Sequence, residues 1–127
     1  MYNEIILDHF RNPRNVGEIK NADGIGEIGN AVCGDMMTFY LSIEDNIIKD
    51  AKYKTFGCGA AIAVSSIVSE YIIGKRIEEV MKLDHKKVSE LLGGLPPQKE
   101  HCSNLGADAV KKAIENYLSK KPANQQK

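Results

Sequence analysis

Hydrophobic and polar positions alternate most sharply in the middle of the chain. Met37, Phe39, Leu41 and Ile43 interleave with Thr38, Tyr40 and Ser42, the two-residue period of a strand with one buried face. Asp45-Asn46 reads as a hairpin turn, and Ile47 to Phe56 returns as a second strand. Ala51, Tyr53 and Thr55 face one way on it, and Lys52 and Lys54 face the other. On either side of this meander the period lengthens. Ile5, Ile6, His9 and Phe10 sit at helical spacing within residues 2–11, and Asn12-Pro13 stops that helix because the residue before proline avoids the α region. Residues 21–30 read as turn-rich, with Gly24, Gly26 and Gly29. From Ala60, Ile62, Ile67, Tyr71 and their neighbours predict a largely buried helix ending at Gly74 as its C′ residue. Short helices follow near Ile77–Met81 and Lys86–Leu92, and Gly93-Gly94-Leu95-Pro96-Pro97 reads as a stiff, kinked loop. In the last helix Leu105, Ala109, Val110, Ala113, Ile114, Tyr117 and Leu118 form one apolar stripe. An antiparallel meander followed by helices indicates an α+β fold.

Length and charge narrow the picture. The 127 residues suit a single domain over 1–127, large enough for its own core, with 120–127 as a frayed polar tail containing Pro122. Lys plus Arg and Asp plus Glu both count 17, so no net field favours nucleic acid or an anionic membrane. The longest apolar run, Ala60 to Val64, is far too short to span a bilayer. The N-terminus Met-Tyr-Asn-Glu has neither the basic nor the apolar region of a secretion signal. With an odd count of three cysteines, this points to a reducing, cytoplasmic setting.

Those cysteines carry the candidate chemistry. They occur as Cys33-Gly34-Asp35, Gly57-Cys58-Gly59 and His101-Cys102-Ser103. Cys58 falls between a strand and a buried helix. Cys102 reads as lying just before the last helix, with Ser103 or Asn104 as N-cap. Both positions offer unpaired backbone N–H groups and the positive end of a helix dipole, which lower a thiol's pKa. The flanking glycines let another group approach closely. Cys33, Cys58 and Cys102 with His101 or Asp35 make a four-ligand set suited to Zn²⁺ or, with sulfide, to iron. Spacings of 25 residues from Cys33 to Cys58 and 44 from Cys58 to Cys102 match no zinc-finger pattern. Three small buried side chains remain the alternative at this level, since free cysteine is among the most buried residue types.

Other signals fall to ordinary explanations. Gly24-Ile-Gly26-Glu-Ile-Gly29 spells the dinucleotide fingerprint, but a loop precedes it and a strand-like stretch follows, so that reading is rejected. Ser65, Ser66 and Ser69 lie within a helix, where packing or back-bonding outweighs nucleophilic catalysis. Asp84 to Lys87 reads as a helix start with a solvated face, His9 as structural, and Lys49, Lys52 and Lys54 as a solvated strand face.

Four separated motifs together resemble one family. They are Asp8-His9-Phe10-Arg11-Asn12-Pro13-Arg14-Asn15-Val16-Gly17, Cys33-Gly34-Asp35, Thr55-Phe56-Gly57-Cys58-Gly59, and Leu95-Pro96-Pro97-Gln98-Lys99-Glu100-His101-Cys102-Ser103. Their order is that of the IscU/NifU N-terminal family of iron–sulfur cluster scaffold proteins, and the likeness covers about residues 2–119. It implies an IscU/SufE-like α+β fold, with an antiparallel sheet of about three strands packed against several helices and the cysteines gathered at one exposed end. It also implies that Cys33, Cys58 and Cys102 ligate a nascent cluster, that Asp35 governs cluster lability, that His101 can complete the site, and that Lys99 lies nearby. The chain lacks the further domains of full NifU and the insertion of SufU-type members, and it keeps the histidine that SufU loses, so the IscU type fits best. Gln98 replaces the apolar residue found where a dedicated chaperone serves the family. This removes hydrophobic contact from an extended peptide in a chaperone groove, and sets the chaperone part of the resemblance apart.

The resemblance implies a scaffold and carrier, not an enzyme. A cysteine desulfurase would deliver persulfide sulfur, a ferredoxin-like donor would supply electrons, and a 2Fe–2S cluster, or beyond it a 4Fe–4S cluster, would pass to apo iron–sulfur acceptor proteins. One cluster bridging two subunits would make a homodimer dependent on its cargo. The competing reading is a zinc-dependent sulfurtransferase using the same ligands; a structural zinc module is a third.

Overall fold

The computed structural model describes residues 4–30, 35–57, 59–93 and 100–120; the side chains of 30, 35, 59–60, 85, 100–104 and 120 fall outside that description. Eight elements follow in order: α1 (Glu4–Arg11), β1 (Gly24–Asn30), β2 (Asp35–Glu44), β3 (Ile47–Phe56), α2 (Gly59–Ile72), α3 (Ile77–Val80), α4 (His85–Leu91) and α5 (Glu100–Lys120). The strands form one antiparallel sheet in the order β1-β2-β3, so the α+β expectation holds.

The alternation in β2 does what its period predicts. Met37, Phe39 and Leu41 are wholly buried and Ile43 nearly so, and Ile48, Ala51 and Tyr53 extend that face across β3. Helices α2 and α5 cover it with Ala61, Val64, Val68, Ile72, Ala109, Val110, Ala113 and Ile114. Each large aliphatic side chain buried this way contributes about 1.5–3 kcal/mol relative to exposure. On the opposite face Lys54 pairs with Glu18 at 2.7 Å and Thr38 donates to Glu27 at 3.0 Å. Asp45 and Asn46, at φ 55° and 62°, make a tight turn of the kind that matches strand twist, as the hairpin reading requires. Ser42 pairs with Asp50 and Ile43 with Ile48, leaving Lys49 as a bulge.

The glycine-rich stretch departs from the sequence reading. Residues 24–30 form a strand, and its glycines serve a helix seat in place of turns. A Cβ on Gly24 would come within 2.3 Å of the Ala113 carbonyl oxygen, and one on Gly26 within 2.3 Å of both the Ala109 oxygen and the Ala113 nitrogen. Helix α5 therefore lies backbone-to-backbone on β1, an approach that only glycine permits. Gly106 repeats the device against α2, where a Cβ would meet Val64 at 2.5 Å.

The helix expectations are met with local changes. On α2 the wholly buried residues include Ala61, Val64, Ser65, Val68, Ser69 and Ile72, while Ile62, Ile67 and Tyr71 are half-buried at its margin. Gly74 follows at φ 91° and donates its N–H to the Ile48 carbonyl, tying the exit from α2 to the free edge of β3. Residues 15–17 cover the same edge further along, with Tyr53 donating to the Asn15 carbonyl and Gly17 to that of Tyr53. Asp84 caps α4 by accepting from the Lys87 N–H at 2.9 Å. Leu118, assigned to the apolar stripe of α5, is 40% exposed.

Candidate functional site

Three junctions of the chain end at one rim of the sheet. Asn30 pairs with Asp35 where β1 passes to β2, and the neighbouring Met36 pairs with Phe56, the last residue of β3. The hairpin Asp45-Asn46 lies at the opposite rim. Helix α5 runs antiparallel to β1, because Gly24 faces Ala113 and Tyr117 while Gly26 faces Ala109 and Ala113. From Gly26 to Asn30, β1 climbs about 14 Å. From Ala109 back to His101, α5 covers about 12 Å in the same direction. The start of α5 therefore stands level with the β1–β2 junction and the end of β3. Phe56 is 76% exposed there, and Gly57 is exposed beside it.

Against that frame the candidate ligands divide. Asp35 is the first residue of β2, and His101 and Cys102 lie in the first turn of α5, so the helix begins at Glu100 and not after Cys102. Ser103 and Asn104 are accordingly helical residues and not N-caps. Ser and Asn at the head of an apolar stripe marked a start one turn too late, since the two residues preceding them continue the helix without any apolar signal of their own. Cys33, Cys58, Lys99 and Gln98 lie outside the described residues, as do the side chains of Asp35, His101 and Cys102. Among the residues whose side chains are described, no three His, Cys, Asp or Glu are gathered closely enough to hold a metal ion.

Side-chain hydrogen bonds join α2 to β3 and to α1. Thr55 on β3 and Ser65 on α2 bring their hydroxyl oxygens to 2.6 Å, and the Ser65 hydroxyl donates to the Ala61 carbonyl at 2.9 Å. Ser69 donates in the same way to the Ser66 carbonyl at 2.6 Å, so Ser65 and Ser69 back-bond to the helix, one of the two roles the sequence predicts. His9 is 5% exposed and joins α1 to α2: Nδ1 lies 2.6 Å from Ser66 Oγ, and Nε2 lies 3.6 Å from Glu70. Ser66 Oγ also accepts the Arg14 N–H at 3.0 Å, and Arg14 pairs with Asp8 at 2.8 Å. Burial, aided by the Arg14 charge, holds His9 below the ordinary imidazole range, although Glu70 and Asp8 pull the other way. His9 is thus structural, as expected. Burial likewise pushes the Tyr53 hydroxyl up to about 12, so it stays neutral.

A family model, the NifU-like N-terminal domain, matches residues 1–124. The chain belongs to that family. The NifU-like assignment extends to curated relatives. Iron-sulfur cluster assembly scaffold protein IscU 1 of Archaeoglobus fulgidus is 57% identical over 120 residues, which cover 94% of this chain and 78% of that protein. Iron-sulfur cluster assembly scaffold protein IscU of Aquifex aeolicus is 52% identical, with 94% and 77% covered. Its namesake in Escherichia coli is 46% identical over 126 residues, with 96% and 98% covered. Among solved structures, the N-terminal NifU-like protein of Brucella abortus superposes with a TM-score of 0.77 at 20% identity, over 94% of this chain and 95% of that one. At that identity it speaks to the fold alone, and it bears out the expected NifU-like architecture. No helix among the described residues is long and apolar enough to cross a membrane.

Proposed function

We propose that this chain is a scaffold on which iron–sulfur clusters are assembled and from which they are passed on, with Cys33, Cys58 and Cys102 as thiolate ligands and Asp35 and His101 completing and loosening the site. The observation that carries this reading is the meeting of the β1–β2 junction, the β3–α2 junction and the start of α5 at one rim. Each junction has one cysteine in or next to it in the sequence, which supports reading the widely spaced cysteines as one donor set. Three thiolates with either a carboxylate or an imidazole suit iron in a sulfide cluster and suit tetrahedral zinc equally.

The chemistry follows from thiolate character. A thiolate attacks the outer sulfur of a desulfurase persulfide; the S–S bond there breaks, the desulfurase thiolate leaves, and a persulfide remains on this chain. Two electrons from a ferredoxin-like donor reduce that persulfide to sulfide and regenerate the thiolate. Two such deliveries with two iron ions compose a 2Fe–2S cargo, and pairing of two such units would lead to 4Fe–4S. The exposure of Phe56 and Gly57 beside Cys58 suits a site that partner proteins must reach. Protonation or displacement of Asp35 or His101 would release the cargo to an acceptor. Lys99, three residues before Cys102 in the sequence, would add positive charge to the site. A reducing compartment such as the cytoplasm keeps these thiols available for the chemistry.

Anaerobic reconstitution with iron, cysteine and a cysteine desulfurase tests the reading. It predicts acid-labile sulfide, visible absorbance and transfer to an apo-ferredoxin. Persulfide passing onward while zinc stays bound and no cluster forms would favour the zinc-dependent sulfurtransferase instead.

A further inference from the structure

We propose that Thr55 and Ser65 are positioning residues for Cys58, acting through a hydroxyl relay that ties the end of β3 to α2 on either side of it in the sequence; this rests on Cys58 being a ligand of the scaffold site. The geometry gives the relay a direction. Ser65 has one hydroxyl proton and donates it to the Ala61 carbonyl at 2.9 Å. The 2.6 Å contact between Thr55 Oγ1 and Ser65 Oγ must therefore be a bond in which Thr55 donates. Thr55 lies three residues before Cys58 and Ala61 three after it, so the relay closes symmetrically around the cysteine.

Phe56 and Gly57 are exposed, and Gly57 stands at φ 151°, a backbone angle that only glycine adopts freely. Ser65 and Ala61 are wholly buried, so the relay works where water competes least. Valine keeps the shape of Thr55 and alanine removes a single atom from Ser65, so each substitution takes away the hydroxyl with little other change. The sequence spends two polar groups at the one place where strand end and helix start must keep a fixed separation. A ligand set assembled from three separate junctions requires each flanking segment to be held in place, and the Thr55–Ser65 contact does this between the end of β3 and α2.

The test uses the full chain, metal-free, reduced and anaerobic, with iodoacetamide alkylation of each cysteine followed by peptide mass spectrometry. In Thr55→Val and Ser65→Ala the Cys58 rate rises about threefold or more, Cys33 and Cys102 stay near their wild-type rates, and Thr55→Ser behaves as wild type. An unchanged or slower Cys58 rate in both variants overturns the proposal, as does an equal change at all three cysteines. Loss of the fold in both variants would assign the relay to stability alone and overturn it too. Because alkylation needs no cluster, failure of the wild-type chain to assemble one would sink the scaffold reading without touching this result.

Discussion

His9 shows how one residue ties α1 to α2. Its ring is buried between α1 and α2, with one nitrogen against Ser66 and the other facing Glu70. Arg14 and Asp8 complete the charged surroundings. Burial lowers its pKa from the ordinary 6.5, so below that value the unfolded chain takes up the proton more readily than the folded one. The stability that His9 contributes is therefore full above pH 6.5 and is lost as pH falls through the lowered folded value. Thermal melts from pH 7.5 to pH 5.5 should show a falling midpoint that is flatter in His9→Gln. That variant should itself cost about 1–2 kcal/mol at neutral pH, from the lost contact with Ser66. An unaltered pH slope in His9→Gln would assign the titration elsewhere. Asp35 carries the corresponding expectation for function: Asp35→Ala should slow cluster release to an apo-acceptor, and transfer kinetics equal to wild type would count against its assigned role.

At the scale of elements, the seat of α5 on β1 is the critical contact. Gly26→Ala puts a methyl against two backbone atoms of α5 that cannot rotate away. It should cost about 3 kcal/mol, and denaturant unfolding checks it. A loss under about 0.5 kcal/mol would mean that α5 can lift from the sheet without penalty. This seat also shows where sequence reading stops. The β2–β3 hairpin was legible because Met37, Phe39, Leu41 and Ile43 announce a buried face and Asp45-Asn46 announces the turn. The strand before it was not, since Gly24 and Gly26 have no side chains with which to show an alternation, and glycine's usual association with turns won. The signal that was available is the two-residue spacing of Gly24, Gly26 and Ile28, which marks close approach by another backbone. The start of α5 was hidden for a related reason. His101 and Cys102 contribute no apolar periodicity, so only backbone geometry reveals that the helix already includes them.

For the whole molecule, the candidate site residues were legible by type and by family pattern, whereas the meeting of the chain junctions next to them depends on topology that no local pattern encodes. Antiparallel pairing brings Asn30, Asp35, Met36 and Phe56 to one rim, and the glycine seat fixes α5 so that its first turn reaches the same level. A cluster shared between two such rims would make association depend on cargo. Mass measured anaerobically should then be that of a dimer with cluster and of a monomer after its removal by a chelator; a mass unaffected by cargo would exclude a shared cluster. The central claim is that three distant cysteines form one cluster-building site. Iron and acid-labile sulfide measured after anaerobic desulfurase-driven reconstitution test it most directly, in the wild-type chain and in Cys33→Ala, Cys58→Ala and Cys102→Ala. The account predicts matched iron and sulfide in the wild type and loss of stable cluster in each variant; wild-type levels retained in any one of them, or zinc without sulfide in the wild type, would contradict it.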